Sequence, residues 1–314
     1  MKQAYISYKP QKQTMVVIAA ADEWLHQNYA ETNAPSDLRG VYYELAYIQQ
    51  LIEIDVGKST KSYKRLIGIM SKARQAGLID WDHIDDKMRP INNAYHWSSP
   101  AHALQDVICD YTINIWEGQR TMPEVWYEKA TGEGTIRSVC EELGVPFLLC
   151  RGNTSQTAMR DAADRARQRF DDHGQRTKIL HVGDLDVNGL DMTRDIRDRA
   201  CKLYLHGREY FNVHRIALNS EQVLQYDLPL LFKEYSGDAG PEKMRKYCAL
   251  TGLTMVDNKV QVCELSALGN LRMQEIIRTE VSAVISDPEL MQELFDKQEA
   301  DREALRDYAQ RWDA

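Results

Sequence analysis

The chain of 314 residues is long enough for two domains, and an apolar content of 43% can fill real cores. Its net charge of −8 argues mildly against a nucleic-acid binder, although local distribution matters more than the total. No apolar run of about 18 residues and no secretory signal occurs, and the six scattered cysteines form no CxxC pair, so we expect a cytoplasmic protein with buried, reduced thiols and neither a membrane span, a disulfide framework nor a zinc site.

Residues 1–13 read as a loose arm. Thr14 can cap a helix from Met15 to about Ala30, with Val17, Ala20, Ala21, Trp24 and Leu25 near one face. Ala34-Pro35-Ser36-Asp37 breaks it, and Ser36 or Asp37 can cap the next helix, LRGVYYELAYIQQLI. After a turn at Asp55-Val56-Gly57, Thr60 to Gln75 is a third helix, apolar along Tyr63, Leu66, Ile67, Met70 and Ala73. From Gly57 to Ile79 the chain carries six basic residues, Lys58, Lys61, Lys64, Arg65, Lys72 and Arg74, and no acid. Three short helices with a basic third one suggest a winged-helix-like unit whose last helix contacts DNA; a solvated cationic face is the plainer alternative.

Trp81 to Ile84 and the Arg89-Pro90 break mark the end of this unit, and a helix from about Pro100 to Gln119 leads onward. From Pro123 strands alternate with helices. The strands are Val125–Glu128, Val145–Cys150, Ile179–Val182 and Val213–Leu218, and the helices Gly134–Leu143, Thr154–Arg167 and Leu190 to about Tyr204. Such alternation predicts an α/β fold with a parallel sheet flanked by helices. The tail from Pro288 to Ala314 is a charged helix, with Leu290, Leu294, Leu305 and Tyr308 its expected contacts. The expected divisions are an arm and helical DNA-binding domain (1–95), a connecting helix (96–122), a metal-binding α/β domain (123–275) and a helical tail (276–314).

The chemistry concentrates in KILHVGDLDVNGLD, Lys178 to Asp191. An apolar strand ends in Gly183, two aspartates follow at Asp184 and Asp186, and the turn Val187-Asn188-Gly189 opens a helix. Glu128 ends an earlier strand of the same unit, and parallel strand ends converge on one edge of a sheet. Three carboxylates at that edge suit Mg²⁺, which would neutralise a phosphodiester. Alternatively, the aspartates merely cap the following helix.

Glu128-Lys129 after an apolar strand, Arg151-Gly152 after the next, and GDLDVNGLD together resemble the Toprim domain of type IIB topoisomerase A subunits and their meiotic double-strand-break relatives. Arg39-Gly40-Val41-Tyr42-Tyr43 is similar to the Arg-Asp-x-Tyr-Tyr stretch of their winged-helix domain. The likeness covers about residues 14 to 270 and is closer still to small stand-alone bacterial and phage proteins with similar YKRL…ARQAGLIDWD and ALNSEQVLQYDLP segments. It implies Tyr43 as a DNA-cleaving nucleophile, Arg39 steadying the phosphate, and Glu128, Asp184 and Asp186 as Mg²⁺ ligands, with Glu264 a further acidic position near a second metal. It also implies a homodimer, in which the tyrosine of one protomer meets the metal of the other, and a separate ATPase subunit as a possible partner. The chain departs from the pattern at Gly40, where the family has aspartate, and at Val187, where it has proline.

Two other readings remain open: a Toprim nuclease that uses water, with Tyr43 structural, and a DNA-binding protein with a degenerate, non-catalytic Toprim fold. An ATPase within the chain is not expected. Gly57-Lys58-Ser59-Thr60 imitates the end of a phosphate-binding loop, but Ile52 stands where that motif needs its first glycine.

Overall fold

The computed structural model describes residues 2–55, 60–84, 96–129, 131–150, 155–204, 210–235 and 240–312. Lys58, the GKST segment before Thr60, the Arg89-Pro90 break and Arg151-Gly152 lie outside the described residues.

The N-terminal helices are α1 (Lys12–Thr32), α2 (Leu38–Tyr43) and α3 (Lys61–Gln75). Of the two candidate caps for α2, Asp37 is the one used, its side chain accepting the Gly40 N–H at 2.7 Å. The helix expected to run beyond Leu51 instead widens into a single π-helical turn, Glu44–Ile48, directly after Tyr43. The chain is then drawn back by two anchors. The Asp55 N–H donates to the Tyr42 hydroxyl at 2.7 Å, and the Asp55 carboxylate accepts the N–H groups of Ser62 and Tyr63 at the start of α3. Val17, Ile18, Ala21 and Leu25 of α1 meet Val41, Tyr42 and Tyr43 of α2 and Leu66, Met70 and Ala73 of α3 in one apolar core.

After α4 (Pro100–Asp110) the chain leaves the helix nine residues before the expected Gln119. Tertiary contacts decide this: Tyr111 is extended, its hydroxyl donates to Asp301, and its carbonyl accepts from Arg302. Trp116, fully buried, donates its indole N–H to the Leu143 carbonyl.

The α/β expectation holds. Strands β1 (Thr121–Tyr127), β2 (Phe147–Leu149), β3 (Arg176–Val182) and β4 (Phe211–Ala217) form a parallel sheet in the order β2-β1-β3-β4. Helices α5 (Glu133–Glu142), α6 (Gln156–His173) and α7 (Val187–Ile196) connect them. Side chains alternate across the sheet as a period of two requires. Val125, Tyr127, Leu180 and Val182 join the core containing Ile136 and Val139 of α5. Trp126 and Ile179 join the core containing Met159, Ala162, Ala163 and Ala166 of α6 and Met192 of α7. Because β1 is followed by β2 on one side and flanked by β3 on the other, the crossovers diverge between β1 and β3. That is where an open α/β sheet leaves a crevice at its carboxyl edge.

Beyond the short α8 (Ser220–Gln225), a second sheet that the sequence reading missed is built from β5 (Leu231–Glu234), β6 (Met255–Val256) and β7 (Lys259–Val262), antiparallel in the order β5-β7-β6, with α9 (Gly240–Thr251) between β5 and β6. Its signal was Asp257-Asn258, a two-residue connection in which both residues take positive φ, as a tight hairpin demands. Helix α10 (Asn270–Ser282) lies against α5 and β4. Helix α11 (Pro288–Trp312) packs beside α4. Along α11, Leu294 joins the main core while Tyr308 remains exposed. Among the described residues no helix is long and apolar enough to cross a membrane.

The helical unit packs mainly against the turn at Leu265–Leu268 and the helix α10 that follow the small sheet. Ser266 donates to the second oxygen of Asp37 at 3.0 Å, Asn270 donates to the Pro35 carbonyl, and Gln274 to the Thr32 carbonyl. Leu231 of β5 and Ala267 pack into the helical core.

Candidate functional site

Two parallel strands end side by side, and each delivers an acid. The Glu128 N–H continues the ladder to the Val182 carbonyl at 2.9 Å, and the Asp184 N–H returns a bond to Glu128 Oε2 at 2.9 Å. The tip is then stitched to the small sheet. Leu185 and Cys263 exchange both backbone hydrogen bonds, at 2.9 and 3.0 Å, and the Leu265 N–H donates to Asp184 Oδ1 at 2.7 Å. This stitch brings Glu264 to the same edge although it lies far along the chain. Gly189 is required where it stands, because a Cβ there would run into the Asp184 carbonyl oxygen.

Three of the four acids face a cation of the chain. Lys129 Nζ is 2.9 Å from Asp184 Oδ1, Lys233 Nζ is 2.7 Å from Asp186 Oδ2, and Arg39 Nε is 3.1 Å from Glu264 Oε2. Beneath them lies Arg215, on β4. Its guanidinium donates to the carbonyls of Gly183, Asp184, Gly189 and Leu218 and to the Thr193 hydroxyl. Burial pulls Arg215 down to about 10, against the raising influence of Glu128 and Asp184, so it stays charged at neutral pH. Its charge and its fork of donors hold the tip in shape. The sequence reading missed Arg215; the signal was an arginine within the otherwise strand-like FNVHRIAL.

The acids differ in state. Burial, with the charges of Asp184 and Asp186, pushes Glu128 up to about 7. Burial alone would raise Asp186 as well, but Lys233 and the Gly189 N–H bring it below the usual carboxylate range. Asp186 is the N-cap of α7, accepting the Gly189 N–H at 2.7 Å through Oδ1 while Oδ2 holds Lys233. The helix-capping alternative is therefore realised for Asp186. Asp184, Glu128 and Glu264 each keep one carboxylate oxygen without a hydrogen bond among the described residues. Among the described residues no three His, Cys, Asp or Glu side chains form a ready-made metal cage. The donor chemistry nevertheless fits a hard cation: carboxylate oxygens at one strand edge, with Glu128 raised by burial and then by its neighbours' charge.

Tyr43 and Arg39, from α2, meet three of these acids, Asp184, Asp186 and Glu264, in one cleft, and Glu128 is not among its described walls. Its volume is about 210 Å³, and its walls include Arg39, Tyr43, Asp184, Asp186, Lys233 and Glu264. Tyr43 is 4% exposed, and its hydroxyl has no hydrogen-bond partner, whereas Tyr42 beside it is engaged by Asp55. Burial, and then the charge of Glu264, drive the Tyr43 phenol far above its ordinary value; Arg39 offsets this in part. The Arg39 guanidinium also lies over the Tyr63 ring at 4.4 Å. A Cβ at Gly40, where the resembled family has aspartate, would lie 2.9 Å from the Ser36 hydroxyl, which would have to shift.

The basic stripe on α3 divides. Lys61, Lys64, Arg65 and Lys72 are exposed. Arg74 is turned inward, 8% exposed, donating to the Trp81 carbonyl and lying over the Trp81 ring, so it is not available to a phosphate backbone. His181 is buried, bonded to Thr193, and drawn down to about 3 by burial and by Arg215, hence neutral. Of the cysteines, Cys140, Cys150 and Cys263 are buried as expected, but Cys109 is exposed on the outer side of α4.

No family model matches the chain, and no curated protein matches it.

Proposed function

We propose that this protein cleaves DNA in a divalent-cation-dependent reaction of the type IIB topoisomerase A-subunit kind. In this reading the α/β unit serves as a Toprim domain and the helical unit as its winged-helix-like DNA-binding partner. One observation carries it: Tyr43 and Arg39 share a cleft with Asp184, Asp186 and Glu264, although they come from segments far apart in the chain.

Glu128 and Asp184 would hold a Mg²⁺ ion, which when bound supplies charge neutralisation at the phosphodiester. The remaining work falls to the protein. Arg39, released from Glu264, is placed to hold the scissile phosphate. Tyr43 attacks phosphorus, its oxygen replacing the 3′ oxygen of the broken strand. Glu264, which shares the cleft with Tyr43, would receive its proton, and the departing 3′ oxygen takes up a proton in turn. The product is a 5′-phosphotyrosyl bond and a free 3′-hydroxyl.

Burial of the Tyr43 hydroxyl favours a second reading, hydrolysis by water with Tyr43 structural. Supercoiled plasmid incubated with Mg²⁺ and stopped with denaturant separates the two. Covalent protein–DNA adducts that vanish in Tyr43→Phe support the tyrosine reaction. Cleavage that survives Tyr43→Phe and is lost in Asp184→Ala supports water. A gel shift without cleavage of any DNA form leaves a binding protein.

A further inference from the structure

Asp186 and Lys233 form a pair that a Mg²⁺ site at Glu128 and Asp184 does not use. Both oxygens of Asp186 are engaged, one capping α7 and one on Lys233 at 2.7 Å, and the residue is 6% exposed. A metal on Asp186 would compete with the Lys233 ammonium and the Gly189 N–H for this carboxylate. Lys233 is placed differently. It stands on β5, an edge strand of the small sheet, with half of its side chain exposed and its ammonium 5.3 Å from the Tyr235 ring centroid. An ammonium carries three donors, and Asp186 takes one. Lys233 lines the cleft together with Arg39, Tyr43 and Asp184, and Arg39 and Lys233 are the cationic side chains among its described lining residues. Lys129, by contrast, is only 20% exposed at its side chain, is tied to Asp184 and does not line the cleft.

We propose that Lys233 is a phosphate-binding residue of the DNA cleft, and that Asp186 is the positioning residue that aims it rather than a metal ligand. The proposal rests on the DNA-cleavage reading and concerns how this cleft takes the phosphate backbone. A flexible ammonium fixed by a buried carboxylate presents its charge at one place on the wall, opposite in sign to the phosphate and distinct from the Glu128–Asp184 edge.

The test uses the full chain. Binding of a short DNA duplex is followed by fluorescence anisotropy in EDTA over a salt series, and Mn²⁺ binding is measured separately by calorimetry without DNA. Lys233→Met is expected to weaken duplex binding about five- to tenfold and to make the slope of log affinity against log salt shallower by about 0.9, the loss of one phosphate contact. Lys233→Arg restores both, which a variant that merely misfolds would not do. Mn²⁺ affinity is expected to be unchanged or tighter in Lys233→Met, to stay within about threefold in Asp186→Asn, where asparagine still caps the helix, and to fall more than tenfold in Asp184→Asn. Unchanged duplex affinity and slope in Lys233→Met overturns the proposal while leaving the cleavage reading intact. So does a Mn²⁺ loss in Asp186→Asn as large as in Asp184→Asn. A wild-type chain that binds no duplex at all removes both.

Discussion

The Asp184 backbone N–H donates to Glu128 Oε2 at 2.9 Å, so the first acid of the site is oriented by the second acid's own peptide group. Their separation in sequence is bridged because β1 and β3 are neighbours in the sheet, in register from Thr121–Arg176 to Tyr127–Val182.

That proximity has a pH signature. Glu128 is raised from 4.5 to about 7 by burial and by the charges of Asp184 and Asp186, so between these values the folded chain binds a proton that the unfolded chain has released. Stability in EDTA therefore falls as pH rises from about 4.5 to about 7, by on the order of 3 kcal/mol. Urea melts of Glu128→Gln should show a flatter pH profile and a more stable protein than wild type at pH 8, with little gain near pH 4. A parallel profile for the two proteins would contradict the charge crowding.

Arg215 offers a sharper test of how the tip is held. Replacing it with methionine removes its bonds to the carbonyls of Gly183, Asp184, Gly189 and Leu218 and leaves the acids without their buried countercharge. A loss of about 3 kcal/mol or more is expected in chemical denaturation. Arg215→Lys keeps the charge but loses the planar fork, and should fall between methionine and wild type.

Gly189 and Gly68 make a contrasting pair. A methyl group at Gly189 collides with the Asp184 carbonyl, while one at Gly68, midway along α3, meets nothing within 4 Å. Gly189→Ala should lower Tm and weaken Mn²⁺ binding by more than tenfold. Gly68→Ala should raise stability by about 0.5–1 kcal/mol through helix propensity alone.

Tyr42 and Tyr43 should separate structural from chemical roles. Tyr42→Phe forfeits the bond from the Asp55 N–H and should cost about 1 kcal/mol. Tyr43→Phe removes a buried hydroxyl that has no partner, so thermal melts should show no loss of stability or a small gain. Loss of plasmid cleavage in Tyr43→Phe beside an unchanged Tm would mark the hydroxyl as chemical.

The sequence by itself determined the local and repetitive features. Short apolar runs placed Val125, Trp126, Ile179 and Leu180 on strands, glycine and aspartate spacing marked the strand tip, and Asp37 was readable as a cap because short polar side chains compete for free helix N–H groups. What only the tertiary structure decided depended on distant partners. The Leu185–Cys263 bridge brought Glu264 to the acids, Tyr42 and Asp55 drew the chain back after the turn at Tyr43, and α11 pulled Tyr111 out of α4. The division of labour between Asp184 and Asp186 belongs to the same class. The two aspartates are alike in sequence, and their difference arises from Leu265 and Lys129 on one and Gly189 and Lys233 on the other. A carboxylate's role is set by which donors reach its oxygens, and three of those four donors lie on segments far from the tip in sequence.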